Sequence, residues 1–264
     1  MGNPSLCAER FMLVGPERVF YAGLLGRPKQ RTLGAFIAFA SMEGRLRIRA
    51  VGEPERSVEA AIMPAYAQHS IDPEHPSVIG VLVEPESVDP QALARLAAEL
   101  SALDEAFLAR RLREAYHRLR ADPAKQAMDA AAFDTAVFGA PLAPRRMDPR
   151  IRRVLALLGD NPGEPMTAAD CAALANLSVS RFLHLFKQET GIAFRACRAW
   201  KLARHLLNFA NETINMAHLA LDIGYPDSTH FSHSIRRFYG LKPRAIFSGS
   251  RELEIFRSGA AARA

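Results

Sequence analysis

The chain is 264 residues long and its formal net charge of +6 is unevenly spread. From Arg145 onward Lys and Arg number 18 against 10 Asp and Glu, net +8, which leaves 16 against 18, net −2, before it. Three cysteines, Cys7, Cys171 and Cys197, are too few and too scattered for a disulfide framework, no apolar run approaches a membrane span, and the opening MGNPSLCAER lacks the basic-then-apolar pattern of a signal peptide. A soluble, cytoplasmic chain with no membrane partner is therefore expected.

From about Phe11 to Glu84 the sequence predicts short strands punctuated by Gly and Pro: RVFYAGLL, TLGAFIAFAS, RLRIRAV, SVEAAIM and VIGVLVE. Such a block predicts a small antiparallel sandwich or barrel. In RLRIRAV, strict alternation puts Arg45, Arg47 and Arg49 on one face and Leu46, Ile48 and Ala50 on the other. Three guanidiniums lining a barrel would suit an anionic effector. The favoured reading is an outward polar face, because a buried unpaired arginine is costly. His69 and His75 fall in QHSIDPEHP, which reads as a loop, and His69 joins the three arginines as a weak candidate for effector contact.

After Pro90 the spacing turns helical. QALARLAAEL aligns Leu93, Leu96, Leu100 and Leu103, and DEAFLARRLREAYHRLR aligns Leu108, Leu112, Ala115 and Leu119. So much apolar side chain predicts packing on the barrel or on a second copy of the chain, and a homodimer through these helices is expected. FGAPLAPRRMDP cannot continue a helix and predicts a linker. Helical spacing resumes at Pro149 and runs to about Lys242, and the tail after Gly249 is expected to fray. These breaks divide the chain into residues 1–139, a linker 140–148, and residues 149–264.

The last third contains one unit written twice. SVSRFLHLFKQETG, from Ser178, returns as DSTHFSHSIRRFYG, from Asp227, so that Phe182 falls on Phe231, His184 on His233, Phe186 on Ile235, Lys187 on Arg236 and Gly191 on Gly240. Each copy predicts a short amphipathic helix with an N-cap residue in front and a glycine behind. Each also follows an apolar-periodic segment that ends at a turn, near Asn176 and at Gly224. That is the helix-turn-helix layout, whose second helix enters the DNA major groove. Opposite the apolar stripe lie Ser180, Arg181, His184 and Lys187 in the first copy, and Thr229, His230, His233, Arg236 and Arg237 in the second. Hydroxyls and imidazoles reach base edges, and Arg or Lys reach guanine or phosphate, so these nine are the candidate DNA-binding residues.

Catalytic chemistry finds little to rest on. No P-loop, GxGxxG, GxSxG or HExxH occurs. His230 and His233 are three residues apart but lack a Cys or carboxylate pair to complete a tetrahedron. No catalytic residue, metal or cofactor is assigned.

The last third resembles the AraC/XylS family of bacterial transcription regulators, over about Pro149 to Phe247. The resemblance is carried by Ala172, Ser178, Phe182, Phe186, Lys187 and Gly191, by Trp200, Lys201 and Leu202 on the helix between the motifs, and by Ala220, Gly224, Tyr225, Asp227, His230, Phe231 and Ser232, followed by Phe238, Gly240 and Pro243. The family often has Arg where this chain has His184 and His233. For the first half the resemblance is one of layout: a small cupin-like β domain, then helices. It implies an α+β chain in which a β-barrel with flanking helices precedes an all-α domain of two helix-turn-helix motifs joined by a long helix. It further implies a regulator that binds double-stranded DNA with its two recognition helices about one turn of ~10 bp apart. The partners it implies are a small-molecule effector, a second copy of the chain and RNA polymerase. Two other readings stand beside it: a cupin-type enzyme with a DNA-binding appendage, and a regulator whose first half binds a partner protein and no ligand.

Overall fold

A computed structural model of the chain describes residues 10–23, 28–75, 77–164, 166–212, 215–249 and 253–258. Cys7 and the end of the first strand candidate, residues 24–25, lie outside the described residues. Strands β1 (Phe11–Val14), β2 (Arg18–Gly23), β3 (Phe36–Ser41), β6 (Ala60–Met63), β8 (Val78–Val83) and β9 (Glu254–Arg257) form a six-stranded sheet in the order β6-β3-β8-β2-β1-β9. Strands β4 (Leu46–Ala50), β5 (Arg56–Val58) and β7 (His69–Pro73) form a second sheet in the order β5-β4-β7. Three of these strands escaped the sequence reading. β1 is very short, β7 was read as a loop, and β9 lies in the tail expected to fray, where it pairs parallel to β1.

Every residue of β2, β3 and β8 is buried, because the large sheet is covered on both faces. Met12, Val19, Ile37 and Phe39 pack toward Leu46, Ile48 and Ile71 of the small sheet. Phe11, Phe20, Ala38 and Val81 pack on the other side against three helices, α1 (Pro90–Ala102), α2 (Glu105–Ala121) and α3 (Ala130–Phe138). The leucine stripes therefore do not await a second copy. Leu96, Leu100, Leu108, Leu112 and Leu119 are at most 6% exposed and cover the sheet, at roughly 1.5–3 kcal/mol for each side chain buried.

The arginines of β4 point outward, as the alternation favoured. Arg45 pairs with Glu105 at 2.5 Å, Arg47 with Asp72 and Arg49 with Glu55 at 2.9 Å, all at the surface. None of the three lines an interior, so they are withdrawn as effector contacts. His69 sits on β7 with its ring buried beside Phe39.

The proline-rich segment is tied down rather than loose. Val88 and Pro144 form a β-bridge, Asp89 N donates to Ala143 O at 2.8 Å and Arg145 N to Ser87 O at 3.1 Å. Buried Arg18 donates to both oxygens of Asp134 on α3, at 2.7 and 2.8 Å.

Seven helices follow: α4 (Pro149–Asp160), α5 (Ala168–Leu174), α6 (Val179–Thr190), α7 (Phe194–His205), α8 (Met216–Asp222), α9 (Ser228–Tyr239) and α10 (Pro243–Gly249). They do not share one core. Ile151, Val154, Leu158, Phe182, Phe186 and Phe194 make a separate cluster, whereas Trp200, Leu206, Phe231, Ile235 and Phe238 are continuous with the inner face of the sheets.

Trp200 marks this seam. It is fully buried, its ring lies on Gly34 where any Cβ would overlap it, and its indole N–H donates to Glu84 at 3.2 Å. Lys201 hydrogen-bonds Glu84 and makes an ion-pair contact with Glu86 at 2.8 Å, while Arg204 Nε lies 2.9 Å from Glu84. Burial alone would push the Glu84 carboxyl up, but Lys201 and Arg204 hold it down, to about 2. Burial pushes Glu86 up to about 7 against the pull of Lys201, and Glu84 adds to the rise. A fragment beginning at Arg145 would uncover Trp200, Lys201 and Arg204 together.

Candidate nucleic-acid interface

Both repeats fold as helix-turn-helix units, and the local chemistry explains why. Thr167 caps α5 in a reciprocal box with Asp170, and Ser178 caps α6 by accepting from Arg181 N at 3.4 Å. Between them Asn176 takes φ 52°, a left-handed conformation that asparagine tolerates. In the second unit Asn215 caps α8, Asp227 caps α9 by accepting from Thr229 N and His230 N, and Gly224 takes φ 98° at the turn. The two turns close with the same hydrogen bonds. Asn176 N reaches back to Ala173 O and Leu177 N to Ala172 O, and Gly224 N reaches back to Leu221 O and Tyr225 N to Ala220 O. The second turn then takes one residue more before its N-cap.

Each second helix buries an aromatic stripe. Phe182 and Phe186 of α6 meet Phe194 edge-on at centroid distances of 5.2 and 5.3 Å. Phe231, Ile235 and Phe238 of α9 are at most 1% exposed, and Trp200 lies 5.4 Å from Phe238. With those faces buried, the opposite faces are left to solvent. Ser180, Arg181, His184 and Lys187 are exposed on α6, as are Thr229, His230, His233, Arg236 and Arg237 on α9. Two of them have local engagements: His230 Nδ1 lies 2.7 Å from the capping Asp227 carboxylate, and the Arg237 guanidinium lies 5.2 Å from the centroid of the Phe238 ring.

The sequence reading passed over Val179 and Leu183. They stand 42% and 39% exposed along the edge of the polar face of α6, one turn apart, and Leu174 on α5 is 39% exposed nearby in sequence. Apolar side chains on an outward face match thymine methyl groups in a major groove. Their i, i+4 spacing is visible in the sequence, but spacing alone does not tell an exposed apolar pair from part of a core stripe.

A helix-turn-helix domain family model matches residues 171–248, which spans both units. The RhaS transcriptional activators of Escherichia fergusonii and Klebsiella pneumoniae are each 33% identical to the chain over 106 residues, 39% of this chain and 37% of the relative. The chain thus spans well under half the length of these relatives. Over nearly the whole chain the fold is that of ToxT from Vibrio cholerae O395, with a TM-score of 0.55 at 9% identity, covering 89% of this chain and 98% of that one. ToxT bound to (E)-4-(8-methylnaphthalen-1-yl)but-3-enoic acid superposes with a TM-score of 0.52 at 10% identity, over 88% and 98% of the two chains. Over the last third of the chain, the paired, identically closed motifs, the helix-turn-helix match and the likeness to the RhaS activators support the resemblance to the AraC/XylS family.

Proposed function

We propose that the chain is a sequence-specific DNA-binding transcription regulator, in which α6 and α9 enter successive major-groove segments about one turn of ~10 bp apart. The observation that carries the reading is the pair of complete helix-turn-helix units whose nine polar and basic outward residues are all exposed, in the part of the chain with net charge +8. Val179 and Leu183 add readout of thymine methyls on the first half of the site. Residues 149–264 supply DNA contact, and residues 1–139, joined to them through 140–148, bind a small-molecule effector. Support for the effector is the ToxT complex with an organic acid on a similar fold. A homodimer and a contact with RNA polymerase rest on the family likeness alone, since the leucines first read as a dimer surface cover the sheet.

Selection of bound duplexes from a random pool by the intact chain tests the proposal. Two conserved half-sites about one turn apart are expected, with affinity falling steeply as salt rises. Replacing thymine by deoxyuridine in the enriched site should cost affinity at positions under α6, and Leu183→Gln should abolish that sensitivity. Enrichment of no sequence, with salt-insensitive binding, overturns the reading.

A further inference from the structure

An open cleft of about 660 Å³ lies where the linker and α4 face the turn between β1 and β2. Three arginines and three carboxylates share its wall, Arg145, Arg146 and Arg152 with Glu17, Glu86 and Asp160. Among the described residues, no ion pair joins a member of one set to a member of the other. The side chains of Arg145 and Arg146 make no hydrogen bond there, and Arg152 reaches only the Met147 carbonyl, at 3.5 Å. Glu86 is 3% exposed and neither of its oxygens accepts a hydrogen bond, although Lys201 Nζ stands 2.8 Å from Oε1. Opposite charges that can meet in a protein ordinarily pair, and buried acceptors ordinarily find donors. In this cleft both kinds of group are held apart.

The backbone keeps the two sides in place. Arg145 N donates to Ser87 O and Val88 bridges Pro144, which pins the linker to the first domain. On the other side Asp148 caps α4, and its own N donates to Glu189 of α6 at 2.7 Å. Between the charges the wall is apolar, with Pro16, Met147, Leu155 and Ala156. An occupant that satisfies all of this brings an anionic end for the arginines, N–H or O–H donors for the carboxylates, and an apolar body for the wall. Forked guanidiniums suit a phosphate, and they also stack on aromatic faces. An inorganic anion would leave the carboxylates unmet, a simple carboxylic acid brings no donor, and a polyamine is repelled by the arginines.

We infer that this cleft binds a nucleoside monophosphate, its phosphate held by Arg145, Arg146 and Arg152 and its ribose hydroxyls or base amino group donating to Glu86 and its neighbouring carboxylates. The base lies on the apolar wall. The space suffices, since small-ligand sites run to roughly 300–1,000 Å³. This site is additional to the effector reading above, because it is built from the linker and α4 as well as the first domain, and it stands or falls apart from that reading. It also has a mechanical consequence. The first helix-turn-helix unit has a core of its own, which includes Ile151, Val154 and Leu158 of α4. A nucleotide bridging α4 to the β1–β2 turn supplies the tie to the first domain that this separate core lacks.

Calorimetry and thermal melting on the intact chain, without DNA, test the site. The probes are AMP, GMP, CMP and UMP, with adenosine, ribose 5-phosphate and inorganic phosphate as controls. At least one nucleotide is expected to bind and raise the melting temperature, with each control roughly tenfold weaker or more. Arg145→Met combined with Arg152→Met should weaken that nucleotide roughly ten- to a hundredfold. Arg152 is exposed and Arg145 half-buried, so this pair of changes leaves the core intact. Arg236→Ala, on the proposed DNA face, should leave nucleotide affinity unchanged, which separates the cleft from general attraction of phosphate. Binding of none of the four nucleotides, a control that binds as tightly as the best of them, or affinity that survives the double arginine variant each overturns the inference. A bound nucleotide should also slow hydrogen exchange in α4. Binding that needs the two arginines but leaves α4 exchange unaltered upholds the site and overturns the tie to the first domain.

Discussion

The two helix-turn-helix units share a local grammar and differ in what stands behind them. Phe182 and Phe186 of the first close a small core with Ile151, Val154 and Phe194, apart from the rest of the chain. Phe231, Ile235 and Phe238 of the second belong to a core that runs through Trp200 into the sheets. Equal recognition helices are thus unequal in coupling. The first closes its core on itself, whereas the second shares its packing with the sheets and is tied to residues 29–32 by Lys29 N donating to Gly240 O and Thr32 N to Arg237 O. A unit that must respond to a ligand has to be joined to the ligand's domain, and a unit that only holds DNA gains from independence.

The harshest way to break the comparison is Glu84→Ala. Lys201 and Arg204 would lose their principal buried counter-ion, at a cost of about 3–5 kcal/mol. Hydrogen exchange should then quicken in the sheets and in α9 while amides of α6 keep their protection. Equal loss in both units would show that they form one cooperative body. A milder test uses the two glycines that end the recognition helices with positive φ, Gly191 at 77° and Gly240 at 69°. Nothing lies near a Cβ at Gly191, whereas at Gly240 it would overlap the Lys29 carbonyl. Gly191→Ala should cost roughly 1 kcal/mol for its φ alone, and Gly240→Ala a further 1–3 kcal/mol for overpacking, read from urea midpoints.

Acidity sharpens the same contrast. The folded pKa of Glu86, about 7, lies above its ordinary 4.5, so the folded chain keeps that proton longer than the unfolded one. Stability of the seam should fall as pH rises between those values, by about 1–3 kcal/mol, and Glu86→Gln should flatten the slope. Glu84 works in the opposite sense. Its depressed pKa adds stability above 4.5 that is lost as pH falls toward about 2. Urea midpoints at pH 5 and pH 7.5 decide the sign for Glu86, and a midpoint that rises with pH in the parent contradicts it.

The smallest effects separate roles on DNA. His233→Ala should cost roughly 1–3 kcal/mol on the selected site and much less on random duplex if His233 reads a base edge as proposed, since an imidazole can give or take one hydrogen bond there. Arg236→Ala should weaken both duplexes alike and make the salt slope shallower by about one unit, as a phosphate contact would. The reverse pattern would exchange the two assignments.

The repeat was legible because its determinants are local. N-caps at Ser178 and Asp227, left-handed turns at Asn176 and Gly224, C-caps at Gly191 and Gly240, and phenylalanines one turn apart all act within a dozen residues of chain, so periodicity reports them directly. The outward residues followed, since a helix with one buried face leaves the other exposed. By itself the sequence determined the two motifs, their candidate DNA face, the outward arginines of β4 and the leucine stripes of α1 and α2. It did not determine what those stripes meet, because an apolar stripe has the same spacing whether a sheet or a second copy covers it. Only the tertiary structure decided that β9 returns to β1, that His69 lies on a strand, that the second unit shares the core of the sheets, and that Arg31 is buried with no Asp or Glu paired to it among the described residues. Each of these joins separate elements of the chain, and such pairings depend on the packing of whole elements, for which no short stretch of sequence has a period.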